Sequence, residues 1–213
     1  MFEAIISLFA TSVIALSPLP AGGVLAEKSF NLTNRQPDSW VNEVFADNIV
    51  LTLRYLASQG DPLQGRPANE QNFKKVRESF ETSFTLKPGE TFAFQDAALP
   101  QFDGKVVKTT NGRFNYDQGY RSSGWLMGDG VCHLASFINQ TAREAGLEVV
   151  APARHDFAAI ADIPREFGTS IYHMPGHSSA NAQQNLYVTN NLNKDIAFMF
   201  KVNSDKITLT ISQ

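Results

Sequence analysis

The sequence predicts an α+β fold: N-terminal helices, then a mostly antiparallel sheet packed on a central helix that starts at the chain's single cysteine. Three observations predict it. Apolar residues near the front recur at three- and four-residue steps, the later segments are short β-prone runs separated by turn residues, and one helical stretch interrupts those runs at Cys132.

Composition sets the outer bounds. With 213 residues, 43% hydrophobic and 18% charged, the chain is long enough to bury a real core and is globular in type. A formal net charge of −3 gives no electrostatic reason to expect nucleic acid as a partner. One cysteine excludes an internal disulfide and a cysteine-rich zinc site. Phenylalanine is in excess, at 16 residues, most of them expected in the core and some available to line a cleft.

The elements follow in order. Ala4 to Leu16 is mostly apolar, and a Pro/Gly-bearing stretch ends in Val24-x-Ala26 before Glu27. Residues 1–26 therefore read as a signal peptide or membrane anchor, although only Glu3 and no Lys or Arg precedes the apolar run. The expected location is extracytoplasmic, secreted or membrane-anchored. Residues 27–67 read as a helical extension and 68–213 as the main domain. Val41, Val44, Phe45, Ile49, Leu53 and Leu56 make an amphipathic helix capped by Asp38 or Ser39. A second helix is expected from Ala68 to about Phe80. Lys87-Pro-Gly89 then suggests a turn joining Ser83–Leu86 and Thr91–Phe94 as a hairpin. Lys105–Thr110 follows, and the helix after Cys132 should run to about Ala145, with Gly146 as its C-terminal glycine. Leu147–Ala151, Ser170–Met174, Gln184–Thr189, Ile196–Val202 and Ile207–Ile211 read as strands, the last two joined by a turn at Asn203–Asp205.

The chemistry concentrates at Gly128-Asp-Gly-Val-Cys132-His133. A thiolate at a helix N-terminus is stabilised by unpaired N–H groups and the helix dipole, which lowers the thiol pKa. Gly128 and Gly130 allow close backbone approach, and the Gly130, Val131 and Cys132 amides are candidate oxyanion donors. A base is also needed. His133 projects about 100° from Cys132 along the helix and is a poor choice. His155 is the better one, with Asp156 or a later polar side chain to orient it. Helical cysteine, then histidine, then polar residue is the order of papain-like hydrolases. Against this stand a cysteine that is simply a small buried hydrophobe, and a metal site from Cys132, His155, His173 and His177. The pair His173 and His177 would suit a helix, which Met174-Pro-Gly176 forbids, so no metal and no cofactor are expected.

Further residues carry a family resemblance. Leu86-Lys-Pro-Gly-Glu-Thr-Phe-Ala-Phe94, Gly119-Tyr120, Gly128–Cys132 with Ala135-Ser136, Ala145-Gly-Leu147, His155, Tyr172–Gly176 and Asn185–Asn191 together resemble the VanW-like family. The similarity spans about residues 80 to 202. It implies a bacterial, exported or membrane-anchored protein with a Gly-Gly-Gly-Val-Cys-Gln motif and a later His-Ser pair. Here Asp129 replaces the middle glycine, His133 stands where glutamine is usual, Asp156 replaces the serine, and Gly176-His177-Ser178-Ser179 replaces a Gly-Arg-Asp-Ala-type segment. The family context implies a partner in the cell wall, peptide or glycan. One reading is acyl transfer or amide hydrolysis with Cys132 as nucleophile, His155 as base and Asp156 as orienting group. The other is a non-catalytic module binding through Gly128, Gly130, Val131, His133, His173 and His177 and an aromatic rim of Phe114, Tyr116, Tyr120 and Trp125.

Overall fold

The computed structural model describes residues 22–58, 62–63, 70–124 and 128–213. The apolar run at 4–16 lies outside them, as does Trp125. The fold is α+β, with four helices and two four-stranded sheets among the described residues.

The first sheet joins β1 (Val24–Asn31), β8 (Lys206–Ser212), β7 (Ile196–Val202) and β2 (Phe80–Leu86), in that order and antiparallel throughout. The expected β7–β8 hairpin is present, closed by the Asn203 amide donating to the Lys206 carbonyl at 2.9 Å. Strand β1 is not foreseen by the apolar pattern. It is an edge strand paired only with β8, and its side chains are exposed or half-buried except Phe30. It begins at Val24, so Val24 and Ala26 pair with Ser212 and Ile211.

The second sheet has order β4 (Val106–Thr109), β3 (Thr91–Ala93), β6 (Tyr187–Thr189), β5 (Glu148–Val150), with only β3–β4 parallel. This corrects the expected 83–94 hairpin. The turn exists, with the Glu90 amide donating to the Lys87 carbonyl at 3.0 Å and Gly89 at a φ of 82°. Yet β2 pairs with β7 and β3 pairs with β6, so the turn carries the chain from one sheet to the other. The physical reason is aromatic: Phe84 of β2 stacks on Phe198 of its own sheet at 4.7 Å and on Phe92 of the other at 5.2 Å. Ser170–Met174 is also corrected. It is irregular backbone, not a strand, and a short helix, α4 (Ser178–Gln183), follows it.

Helix α1 (Ser39–Ala57) is capped by the Asp38 carboxylate, which accepts from the Val41 amide at 2.9 Å. Helix α2 (Glu70–Arg77) lies beside it. Helix α3 (Val131–Glu144) is the central one, packing on α1, β1, β5 and β8. Its end is the expected glycine cap: Gly146, at φ 77°, donates to the Arg143 carbonyl and Leu147 to the Ala142 carbonyl, both at 3.0 Å. Phe30 on Phe137, 4.9 Å apart, ties β1 to α3, and both belong to one core with Ile49 and Leu53 of α1 and Phe198 and Phe200 of β7.

Candidate functional site

The N-terminal turn of α3 opens into a cleft of about 760 Å³. Gln36, Val41, Phe45, Phe114, Phe157, Ala158, Ile171, Tyr172 and His173 line it. Gly128, Gly130, Val131, Cys132, His133 and His155 all reach it, so most of the residues expected from sequence meet in one place.

The two glycines before Cys132 serve the protein's own packing. Gly130 caps α3 at φ 99°, and a Cβ there would lie 2.6 Å from the Phe45 carbonyl oxygen of α1. At Gly128, φ 81°, an added Cβ would lie 2.9 Å from the Phe114 Cβ. Both positions need glycine for conformation and for space. The Val131 amide, a candidate oxyanion donor, already donates to the Gly128 carbonyl at 3.2 Å. Asp129 is buried and accepts from the Ser123 amide at 2.7 Å and from its hydroxyl at 2.6 Å. Asn48 of α1, wholly buried, donates to the Asp129 and Arg121 carbonyls at 2.8 and 2.9 Å and so clamps this loop to α1.

Cys132 is half-buried, and its sulfur is engaged with Ile171 alone among the described side-chain and backbone partners. The Ile171 amide donates to Sγ at 3.3 Å, and the thiol donates to the Ile171 carbonyl at 3.4 Å. Loss of water around the sulfur, helped by the Asp129 charge, pushes the thiol up to about 11, and the hydrogen bond from Ile171 offsets only part of this. A lowered value is what the helix N-terminus alone predicts. Desolvation outweighs the dipole here.

The histidines divide into two kinds. His133 and His155 are buried with ring centroids 6.0 Å apart, flanked by Phe45 at 5.0 Å from His133 and Phe157 at 4.1 Å from His155. Nδ1 of each has no hydrogen-bond partner. Burial, then the nearby Arg35 guanidinium and His155, hold His133 down to about 3. Burial also lowers His155. No hydrogen bond joins either imidazole to Cys132 among the described residues, and Asp156 is exposed and makes none to His155 through its carboxylate. His173 is different. Its Nδ1 sits 3.1 Å from Oε1 of the wholly buried Gln95.

The remaining expected residues lie elsewhere. Tyr120 is fully buried with its hydroxyl 3.1 Å from that of Thr52, and His177 is exposed ahead of α4 outside the cleft lining. Among the described residues no group of three or more His, Cys, Asp or Glu could hold a metal ion. Sequence reasoning missed Gln95, Asn48 and Asn181, because a lone buried amide carries no spacing signal.

A family model described as VanW like protein matches residues 69–212. The chain belongs to the VanW-like family. No curated protein and no solved structure matches it. Within this VanW-like chain the Asn185–Asn191 segment is a set of backbone staples. Asn185 donates to the Gln95 and Ala97 carbonyls at 3.1 and 2.7 Å, and Asn190 to the Leu86 and Lys194 carbonyls, both at 2.8 Å. The Asn185 bonds hold the Gln95 backbone, and Gln95 in turn contacts His173, which lines the cleft.

Proposed function

We propose that this VanW-like chain is an exported cell-envelope protein whose cleft binds peptidoglycan fragments, stem peptide or glycan, without cleaving them. The observation that carries this reading is the state of Cys132. Its thiol is held un-ionised by burial, with its hydrogen bonds taken up by Ile171. At neutral pH a thiol near 11 is ionised to roughly one part in ten thousand, and the thiolate is the nucleophile. The cleft meanwhile has what a binding surface needs. Phe157 and Tyr172 line it while 73% and 44% exposed, offering ring faces to sugar or peptide groups. The apolar N-terminal run supports export.

Titration of the protein with soluble muropeptides, followed by calorimetry and mass spectrometry, tests this directly. Saturable binding with muropeptides recovered intact is the expected result, and Phe157→Ala should weaken it several-fold. A cleaved muropeptide or an acyl adduct on Cys132 would sink the non-catalytic reading. Alkylation by iodoacetamide gives a second check: the Cys132 rate should still be climbing above pH 9. A plateau below the ordinary thiol value of about 8.5 would restore Cys132 as nucleophile with His155 as its base.

A further inference from the structure

We propose that His173, locked by Gln95 as the Nδ1–H tautomer, presents a bare Nε2 as the cleft's hydrogen-bond acceptor and reads a donor group, N–H or O–H, on the bound ligand. The inference rests on the envelope-binding reading of the same cleft and names the group that the cleft selects.

The tautomer follows from a chain of satisfied bonds. The Gln95 side-chain nitrogen lies 3.1, 3.0 and 2.6 Å from the carbonyl oxygens of Tyr172, Asn181 and Gln184. Only an NH2 group can face three carbonyls, so the orientation of the amide is settled. Gln95 Oε1 can then only accept, and His173 Nδ1 is the partner it has, at 3.1 Å. A bare Nδ1 would leave a carbonyl oxygen of a wholly buried side chain facing a lone pair. Nδ1 therefore carries the proton. Asn181 Nδ2, whose closer partner is the Met174 carbonyl at 2.9 Å, is farther from Nδ1, at 3.5 Å, than Gln95 Oε1.

In a neutral ring with Nδ1 protonated, Nε2 is an acceptor. Partial burial and the neighbouring Arg113 charge favour the neutral ring, against Asp96, which opposes them. The ring lines the cleft, and Nε2 makes no hydrogen bond to any described residue. Gln95 is the positioning residue: it touches no ligand and acts by fixing the ring.

The discriminating variant is His173→Asn, whose side-chain NH2 can still donate to Gln95 Oε1 while the acceptor at the Nε2 position is lost, the shorter Asn carbonyl standing at the place of ring Cδ2. Three measurements on the full chain decide. Imidazole 15N spectra at neutral pH should show His173 protonated at Nδ1 and bare at Nε2; the opposite tautomer overturns the proposal. Diethylpyrocarbonate, which needs a bare ring nitrogen, should modify His173 well before His133 or His155; an inert His173 overturns it as well. Muropeptide affinity should fall roughly tenfold in His173→Asn, the loss of one ligand hydrogen bond, with an unchanged melting temperature. Equal binding by wild type and variant removes the His173 role and leaves the envelope reading standing. Absence of binding by the wild type removes the envelope reading, and the ligand role of His173 with it. Stem peptide and chitooligosaccharide, titrated separately, identify which part of the muropeptide supplies the donor.

Discussion

The two walls of the cleft treat buried polar groups in opposite ways. Where α3 meets the His155 loop, His133 and His155 are packed edge to face between Phe45 and Phe157, and their Nδ1 atoms have no partner. Behind Tyr172 and His173, which line the cleft, Gln95, Asn181 and Asn185 use their amide groups on backbone carbonyls and amides, and His173 is drawn into that network. The first wall favours neutral imidazoles, because burial disfavours the charged ring. The second is held by hydrogen bonds between neutral groups that no ordinary pH disturbs. A single cleft thus joins an acid-sensitive face to a rigid one.

Acid is the strongest way to break this contrast. His133 is near 3 in the folded chain against 6.5 for an ordinary histidine, so between those values the unfolded chain binds more protons. Stability is therefore fully present above about pH 6.5 and is lost as pH falls, at about 1.4 kcal/mol per unit and roughly 5 kcal/mol across the window. Urea unfolding at a series of pH values should show this slope in the wild type and a shallower one in His133→Phe. Equal slopes would mean that His133 is not held neutral.

The next largest effect belongs to the joint between α1 and α3. Gly130→Ala adds a Cβ to a left-handed residue against the Phe45 backbone, and should cost about 3 kcal/mol. A urea midpoint close to wild type would show that the two helices are not in that close approach. In the amide network behind His173, Asn185→Ala removes donors to two carbonyls and an acceptor for the Gln95 and Leu186 amides. It should cost about 2 kcal/mol and leave the acid slope unchanged. Any effect of Asn185→Ala on that slope would show that the two walls are coupled. The smallest effect is at the lip: Phe157→Ala, at a largely exposed site, should shift stability by under about 0.5 kcal/mol while weakening ligand binding.

What the sequence determined by itself was whatever local chemistry specifies. Asp38 caps α1, Gly146 ends α3, Pro88-Gly89 makes a turn and Asn203–Asp205 closes a hairpin, because capping, left-handed glycine and turn preference act over a few residues. The position of Cys132 at a helix start was legible for the same reason. Tertiary structure alone decided the rest. That the turn at Gly89 changes sheets depends on Phe84 finding Phe92 and Phe198, and that β1 is a strand depends on β8, far along the chain. Gln95 and His173 are 78 residues apart, and no spacing rule brings them together. The thiol shows the division most sharply. Its place on the helix predicts an easily ionised sulfur, whereas its surroundings hold it protonated, because desolvation is set by everything that packs around a group and the helix dipole only by the turn it begins.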